Sequence, residues 1–134
     1  MLNIVTQLQP KYYTLINALN ELPVYNGMPP ATAQDSYIVI GDIVVAQQPG
    51  KGNFVQTASV FLDIVIKGQD MGYKEAERVA GRVMSVVHSD TVWNLADFNV
   101  MSTTLASKNR LAGMNPTDKV FRVLLRYEHD IAEK

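Results

Sequence analysis

The chain has 134 residues, a net charge of -1, 47% apolar and 19% charged residues, and no cysteine. This length fits one compact domain (1–134), and the balanced charge excludes nucleic-acid binding through a broad basic surface. The missing cysteine excludes disulfides, thiolate metal sites and cysteine nucleophiles, and no apolar run approaches the ~20 residues of a membrane span.

Residues 3 to 22 carry a first helical pattern. Pro10 is expected near its first turn, where a missing N–H costs nothing. Tyr13, Ile16, Ala18, Leu19 and Leu22 form its apolar face, and Pro23 is expected to stop it. Val24 and Tyr25 make a short extended piece, broken by NGMPP. Residues 37–45, YIVIGDIVV, are rich in β-branched residues and predict a strand; Gly41-Asp42 within it predicts a bulge or a close backbone approach. Residues 46–56, AQQPGKGNFVQ, are polar and glycine-rich and predict a loop longer than a tight hairpin needs.

A strand follows, with Val60, Leu62, Ile64 and Ile66 on one face and Asp63 and Lys67 on the other. After QDMG the period changes from two to 3.6. Ala76, Val79, Ala80, Val83, Met84 and Val87 fall on one stripe of a second helix, and Glu75 and Glu77 complement the positive end of its dipole. Residues 89–97 read as a turn region with the only tryptophan, 98–106 as a strand with a polar Ser/Thr side, and SKNRLAGMNPTD as a loop. Residues 119–129 alternate: Phe121, Val123, Leu125 and Tyr127 share one face, and Arg122, Leu124, Arg126 and Glu128 the other. The order α-β-β-β-α-β-β predicts an α+β fold. It is a single, mainly antiparallel sheet of about four to five strands with two helices on one face.

The first residues lack the basic start and apolar core of a signal peptide, and a soluble intracellular domain is expected. The low charge suits a chain that buries surface against copies of itself. No catalytic constellation stands out. His88 and His129 have no partner at metal-ligand spacing and read as structural. Gly50-Lys51-Gly52 lacks the upstream glycine and following Ser/Thr of a phosphate loop, and reads as a cationic loop tip. Asp63 occupies a solvent-facing position in an apolar strand and could pair with Arg122 or Arg126 across the sheet. Trp93 and the Tyr12-Tyr13 pair suit core or interface anchoring better than ligand stacking.

Three segments, SYIVIGDIVV, VFLDIVIKGQDMGYKEAERVAGRVMSVV and VFRVLLRYEH, occur in this order and spacing. Together they resemble the small tail-completion proteins of long-tailed bacteriophages and prophages, in the tail terminator (tail-to-head joining) group. The likeness covers roughly residues 10–129. It rests on Tyr37 to Asp42, on Glu75, Ala76, Val79, Ala80 and Val83 of the second helix, and on Asp118 to Glu128. The chain departs from that pattern at Ser36, where proline is usual, and at Lys67, where tryptophan is common.

The resemblance implies a non-enzymatic structural protein without cofactors or membrane contact. It implies a homo-oligomer, a hexameric ring, that caps the tail tube, ends its polymerisation and offers a surface to the head-tail connector protein. The tail tube protein is the second partner, and DNA passes through the central hole. Such a protein is assembled in the bacterial host cytoplasm and resides in the virion tail. Gln47, Gln48, Lys51, Asn53 and Phe54 of the long loop are expected to contact the tube or a neighbouring subunit. Asp63, Lys67, Arg122 and Arg126 are expected at intersubunit or lumen contacts. The alternatives are a head-closure or connector protein, a domain of a contractile injection apparatus, or a small-ligand-binding regulatory α+β domain with a pocket near Trp93 and the tyrosines.

Overall fold

A computed structural model describes residues 3–29, 36–47, 55–67, 72–89, 93–114 and 119–134. In chain order the elements are α1 (Val5–Asn17), β1 (Val24–Asn26), β2 (Tyr37–Gln47), β3 (Val55–Lys67), α2 (Gly72–Val87), β4 (Phe98–Met114) and β5 (Lys119–Glu133). The strands form one open five-stranded sheet in the order β1-β2-β3-β5-β4. Only β1 against β2 is parallel; the other three pairs are antiparallel. This is the α+β architecture expected from the pattern of elements.

Period-two alternation places Ile38, Ile40, Val60, Leu62, Ile64, Ile66, Val123, Leu125, Tyr127 and Ile131 on one face of the sheet, all buried. Both helices cover that face. From α2 come Ala76, Val79, Ala80, Val83 and Val87, as the helical stripe predicts, with Met84 at the margin. The two alanines let the helix backbone approach the sheet closely. From α1 come Leu8, Tyr12 and Ile16, one turn apart, and all of these join a continuous hydrophobic cluster.

Pro10 lies inside α1, not in its first turn: the helix begins at Val5. The start is capped by Asn3, whose Oδ1 accepts the Val5 N–H at 3.0 Å, while Thr6 Oγ1 donates to the Asn3 carbonyl at 2.7 Å. Pro10 sits on the exposed side. It therefore costs one backbone hydrogen bond without disturbing the buried Leu8–Tyr12–Ile16 stripe. The helix also stops earlier than expected. Leu19 and Asn20 close tighter turns onto Ile16 and Asn17, and Asn20 takes a left-handed φ of 53°. Leu19 and Leu22 nevertheless pack on the core from outside the helix.

The strands are longer than the local pattern suggests. β2 runs to Gln47 and β3 starts at Val55, so both enter the stretch expected to be loop. Ser107 to Met114, also expected as loop, is the second half of β4, and β5 continues four residues past His129 to Glu133. Polar side chains are tolerated in β4 because it is the edge of the sheet, and pairing with β5 supplies the backbone hydrogen bonds. Glu77 of α2 adds a clasp: it takes the Lys108 ammonium and, at 2.8 Å, the Arg110 guanidinium. The register of β2 on β3 shifts between Ile40 and Ile43, the bulge expected at Gly41-Asp42. A Cβ on Gly41 would meet the Phe61 carbonyl oxygen at 3.2 Å, so the close backbone approach is present too.

Candidate functional site

Both helices lie on one face of the sheet, and among the described residues the opposite face has no helix layer, although Val65 on it is buried. Tyr37 and Val39 of β2, Phe61, Asp63, Val65 and Lys67 of β3, and Arg122, Leu124, Arg126 and Glu128 of β5 alternate with the core residues and point to it. Phe61 is 40% exposed there. Four of the expected site residues, Asp63, Lys67, Arg122 and Arg126, are thus brought onto one surface. Gln47 stands apart as an exposed residue at the end of β2. Gln48, Lys51, Asn53 and Phe54 lie outside the described residues.

The polar groups of this face are organised. Arg122 Nη2 lies 2.6 Å from Asp63 Oδ2, and its Nε reaches both carboxylate oxygens at 3.2 Å. The pair is diagonal in the ladder, since Asp63 opposes Leu124 and Arg122 opposes Val65. The Asp63 hydrogen bonds raise the Arg122 pKa further above its ordinary value. Arg126 turns along its own strand to Glu128 at 2.6 Å. The Lys67 ammonium lies 5.3 Å from the centre of the Tyr37 ring, a cation–π distance. The Lys67 backbone N–H donates to Ser36 Oγ at 2.8 Å. Ser36 and Lys67, the two positions at which the chain departs from the family pattern, therefore meet in space.

The face is grooved rather than deeply hollowed. One depression of about 510 Å³ runs between Met28, Tyr37, Lys67 and the Asp63–Arg122 pair. A second of about 300 Å³ lies between Val39, Phe61, Asn109, Leu124 and Arg126. A further polar tie was not anticipated. Asp130 of β5 accepts the Thr57 hydroxyl of β3 at 2.9 Å and the Ser102 hydroxyl of β4 at 3.2 Å, binding three strands on the outer face. Its sequence signal is the alternation of β5, extended one residue beyond the 119–129 segment.

Tyr12 and Trp93 serve the core, whereas Tyr13 is exposed. Tyr12 and Trp93 ring centroids are 4.8 Å apart, and Trp93 and His129 4.6 Å. Trp93 Nε1 donates to the Val87 carbonyl at 2.7 Å, fastening the segment after α2 onto the helix end. His129 is fully buried. Its Nε2 bonds the Tyr12 hydroxyl and its Nδ1 lies 3.0 Å from Thr103 Oγ1, so either neutral tautomer satisfies both ring nitrogens. Burial pushes its pKa down to about 4, with Asp130 acting weakly in the other direction. Burial also holds the Tyr12 hydroxyl well above its ordinary pKa. Among the described residues, no group of three or more His, Cys, Asp or Glu could hold a metal ion, and no helix is long and apolar enough to cross a membrane.

Comparison with known proteins agrees with this arrangement of elements. A chain in the "Virion of native gene transfer agent (GTA) particle" superposes with a TM-score of 0.76 at 18% identity, over 100% of both chains. That likeness shows the fold. No curated protein matches the chain. The family profile "Tail completion protein gp17" matches residues 13–129, a span that includes both helix-covered and open faces of the sheet. The chain belongs to the tail completion protein gp17 family.

Proposed function

We propose that the protein is a non-enzymatic structural component of the tail of a long-tailed bacteriophage or prophage. In this reading the 134-residue chain acts as one tail-terminator-like unit. Copies assemble into a hexameric ring that caps the tail tube, ends its polymerisation and joins the tail to the head-tail connector protein. DNA passes through the lumen. The protein works in the virion tail after assembly in the host cytoplasm. The observation that carries this reading is the family match over residues 13–129. The uncovered sheet face is in keeping with it, because a ring-forming subunit needs surface for both its neighbours and the tube.

Within this reading, Gln47, Gln48, Lys51, Asn53 and Phe54 contact the tube or an adjacent subunit, and Asp63, Lys67, Arg122 and Arg126 face a partner or the lumen. The test is to add the purified protein to polymerising tail tube protein. Tubes of uniform length with a ring at one end are expected by electron microscopy, against tubes of unlimited length without it. Unchanged tube length distributions would sink the capping role. Deleting residues 48–53 should leave a folded chain with a normal circular dichroism spectrum while abolishing capping or ring closure. Normal capping by the deletion variant would remove that segment from the contact surface.

A further inference from the structure

Among the described residues, each outer edge of the sheet has a stretch that no strand pairs, and the two stretches match. On the outer side of β2, β1 covers only Ile38 to Ile40, paired with Val24 to Asn26. Among the described residues no strand pairs with Ile43–Gln47 on that side. This stretch, Ile-Val-Val-Ala-Gln, has no charge and no proline, and Val44 is 55% exposed. Soluble proteins ordinarily blunt such an edge with lysine, proline, a bulge or a covering segment. At the far side of the sheet, β4 pairs with β5, and its other edge is bridged at Asn99 by Asn94; among the described residues no strand pairs with Ser102–Leu105 on that side. Met101 on it is 62% exposed.

Following the register across the sheet places the two free stretches at one level. Val44 opposes Ser59, Ser59 opposes Glu128, and Glu128 opposes Thr104. In the same way Ile43 leads to Leu105, Val45 to Thr103 and Ala46 to Ser102. The bulges bracket these runs. In β4 the register shifts at Met101 and again at Ala106, leaving Ser102–Leu105 regular between them; in β2 it shifts at Gly41-Asp42, leaving the stretch from Ile43 regular. The face assignment agrees as well. Ile43 and Leu105 both pack at the margin of the core on the helix side, and Val44 and Thr104 both point to the outer face.

We infer that copies of this chain join edge to edge, with Ile43–Ala46 of one subunit added as an antiparallel strand to Ser102–Leu105 of the next. This rests on the ring reading above and says which surfaces close the ring. Three antiparallel steps separate β2 from β4, so the two edges run in opposite directions within a subunit. A cyclic operation with its axis along the strands then brings them together antiparallel, the more stable ladder. Because the two stretches are level, no slide along the strands accumulates from copy to copy. That is the condition for a closed ring rather than an open helix. Ile43 and Leu105 would meet across the junction and continue the apolar layer under the helices. A four-residue ladder is smaller than a standard stable interface of about 1,200–2,000 Å²; it sets register and direction, and ring closure holds it.

The absence of native cysteine makes the test clean. The double variant Val44→Cys/Thr104→Cys, oxidised or treated with a short bis-maleimide under conditions where the protein assembles, should give a covalent ladder of multimers ending at the ring number. Neither single variant should cross-link. Cross-linked dimers from Val44→Cys alone would replace the inference with a two-fold β2–β2 contact. Wild-type assembly mass without cross-linking of the double variant would overturn the edge junction and leave the ring intact. A chain that does not assemble even on tail tubes would overturn both. As a second measure, Val44→Lys should keep the wild-type melting temperature, since the position is exposed, and lose assembly. Undiminished assembly of that variant would equally overturn the junction.

Discussion

His129 shows how much one buried polar residue can decide. A histidine at the centre of a strand, sealed under Tyr12 and Trp93, must stay neutral, and burial lowers its pKa to about 4. The unfolded chain protonates it near 6.5. The unfolded state therefore binds more protons between about pH 6.5 and 4, and stability falls as pH falls through that window. The shift corresponds to about 3 kcal/mol of pH-dependent stability, complete above pH 6.5 and absent below 4. Comparing unfolding free energies from pH 7 to 4 for the wild type and His129→Asn checks this: the variant should lose most of the slope above pH 5. Parallel curves would remove His129 from the acid response. Tyr12→Phe leaves one ring nitrogen of His129 unsatisfied and should cost about 1–3 kcal/mol at pH 7. The sequence shows a histidine near the end of an alternating segment. It does not show that the strand continues to Glu133, and that continuation turns a terminal residue into a core residue.

At the scale of elements, α1 runs against its own local chemistry. Proline in a helix interior is worth about 3 kcal/mol less than alanine, yet Val5–Asn17 stays helical around Pro10 because Leu8, Tyr12 and Ile16 fill the core. Pro10→Ala restores an N–H opposite the Thr6 carbonyl on the exposed side. It should raise the unfolding free energy by about 1–3 kcal/mol. An unchanged melting temperature would mean that the helix already absorbs the proline without loss. In α2 local and tertiary demands agree, so its apolar stripe is legible from spacing; the helix begins at Gly72. β4 is the opposite case. SKNRLAGM has turn composition, but β5 offers it a ladder and Glu77 binds its cations, and it extends. Pairing partners distant in sequence outweigh a propensity scale that spans only ~1 kcal/mol per residue.

For the whole molecule, the two faces of the sheet differ in what they contribute to stability. The helix-covered face carries the core, and truncation there is costly: Leu62→Ala should lose about 2–5 kcal/mol. The open face carries ion pairs in contact with solvent, which contribute about 0.2–1 kcal/mol each. Arg122→Ala should therefore leave unfolding within about 1 kcal/mol of wild type. If the open face meets a partner, the same variant should reduce ring formation or tube capping in the assembly assay. A change in stability without a change in assembly would return the Asp63–Arg122 pair to a purely structural role. The charge of -1 and the uncharged stretch Ile43–Gln47 are in keeping with the proposed edge-to-edge association.

By itself the sequence determines the faces: period two in β3 and β5 and period 3.6 in α2 name the buried residues before any neighbour is known, because alternation and helical spacing are local geometry. It also places Asp63, Arg122 and Arg126 on the polar sides of their strands, without deciding which arginine, if either, Asp63 meets. Only the tertiary structure decides the lengths of β2, β4 and β5, the depth of His129, and which strands are edges. Those properties depend on which distant segment supplies hydrogen bonds, and no local pattern encodes that. The level match between Ile43–Ala46 and Ser102–Leu105 belongs to this second kind, since it exists only once three registers are laid side by side.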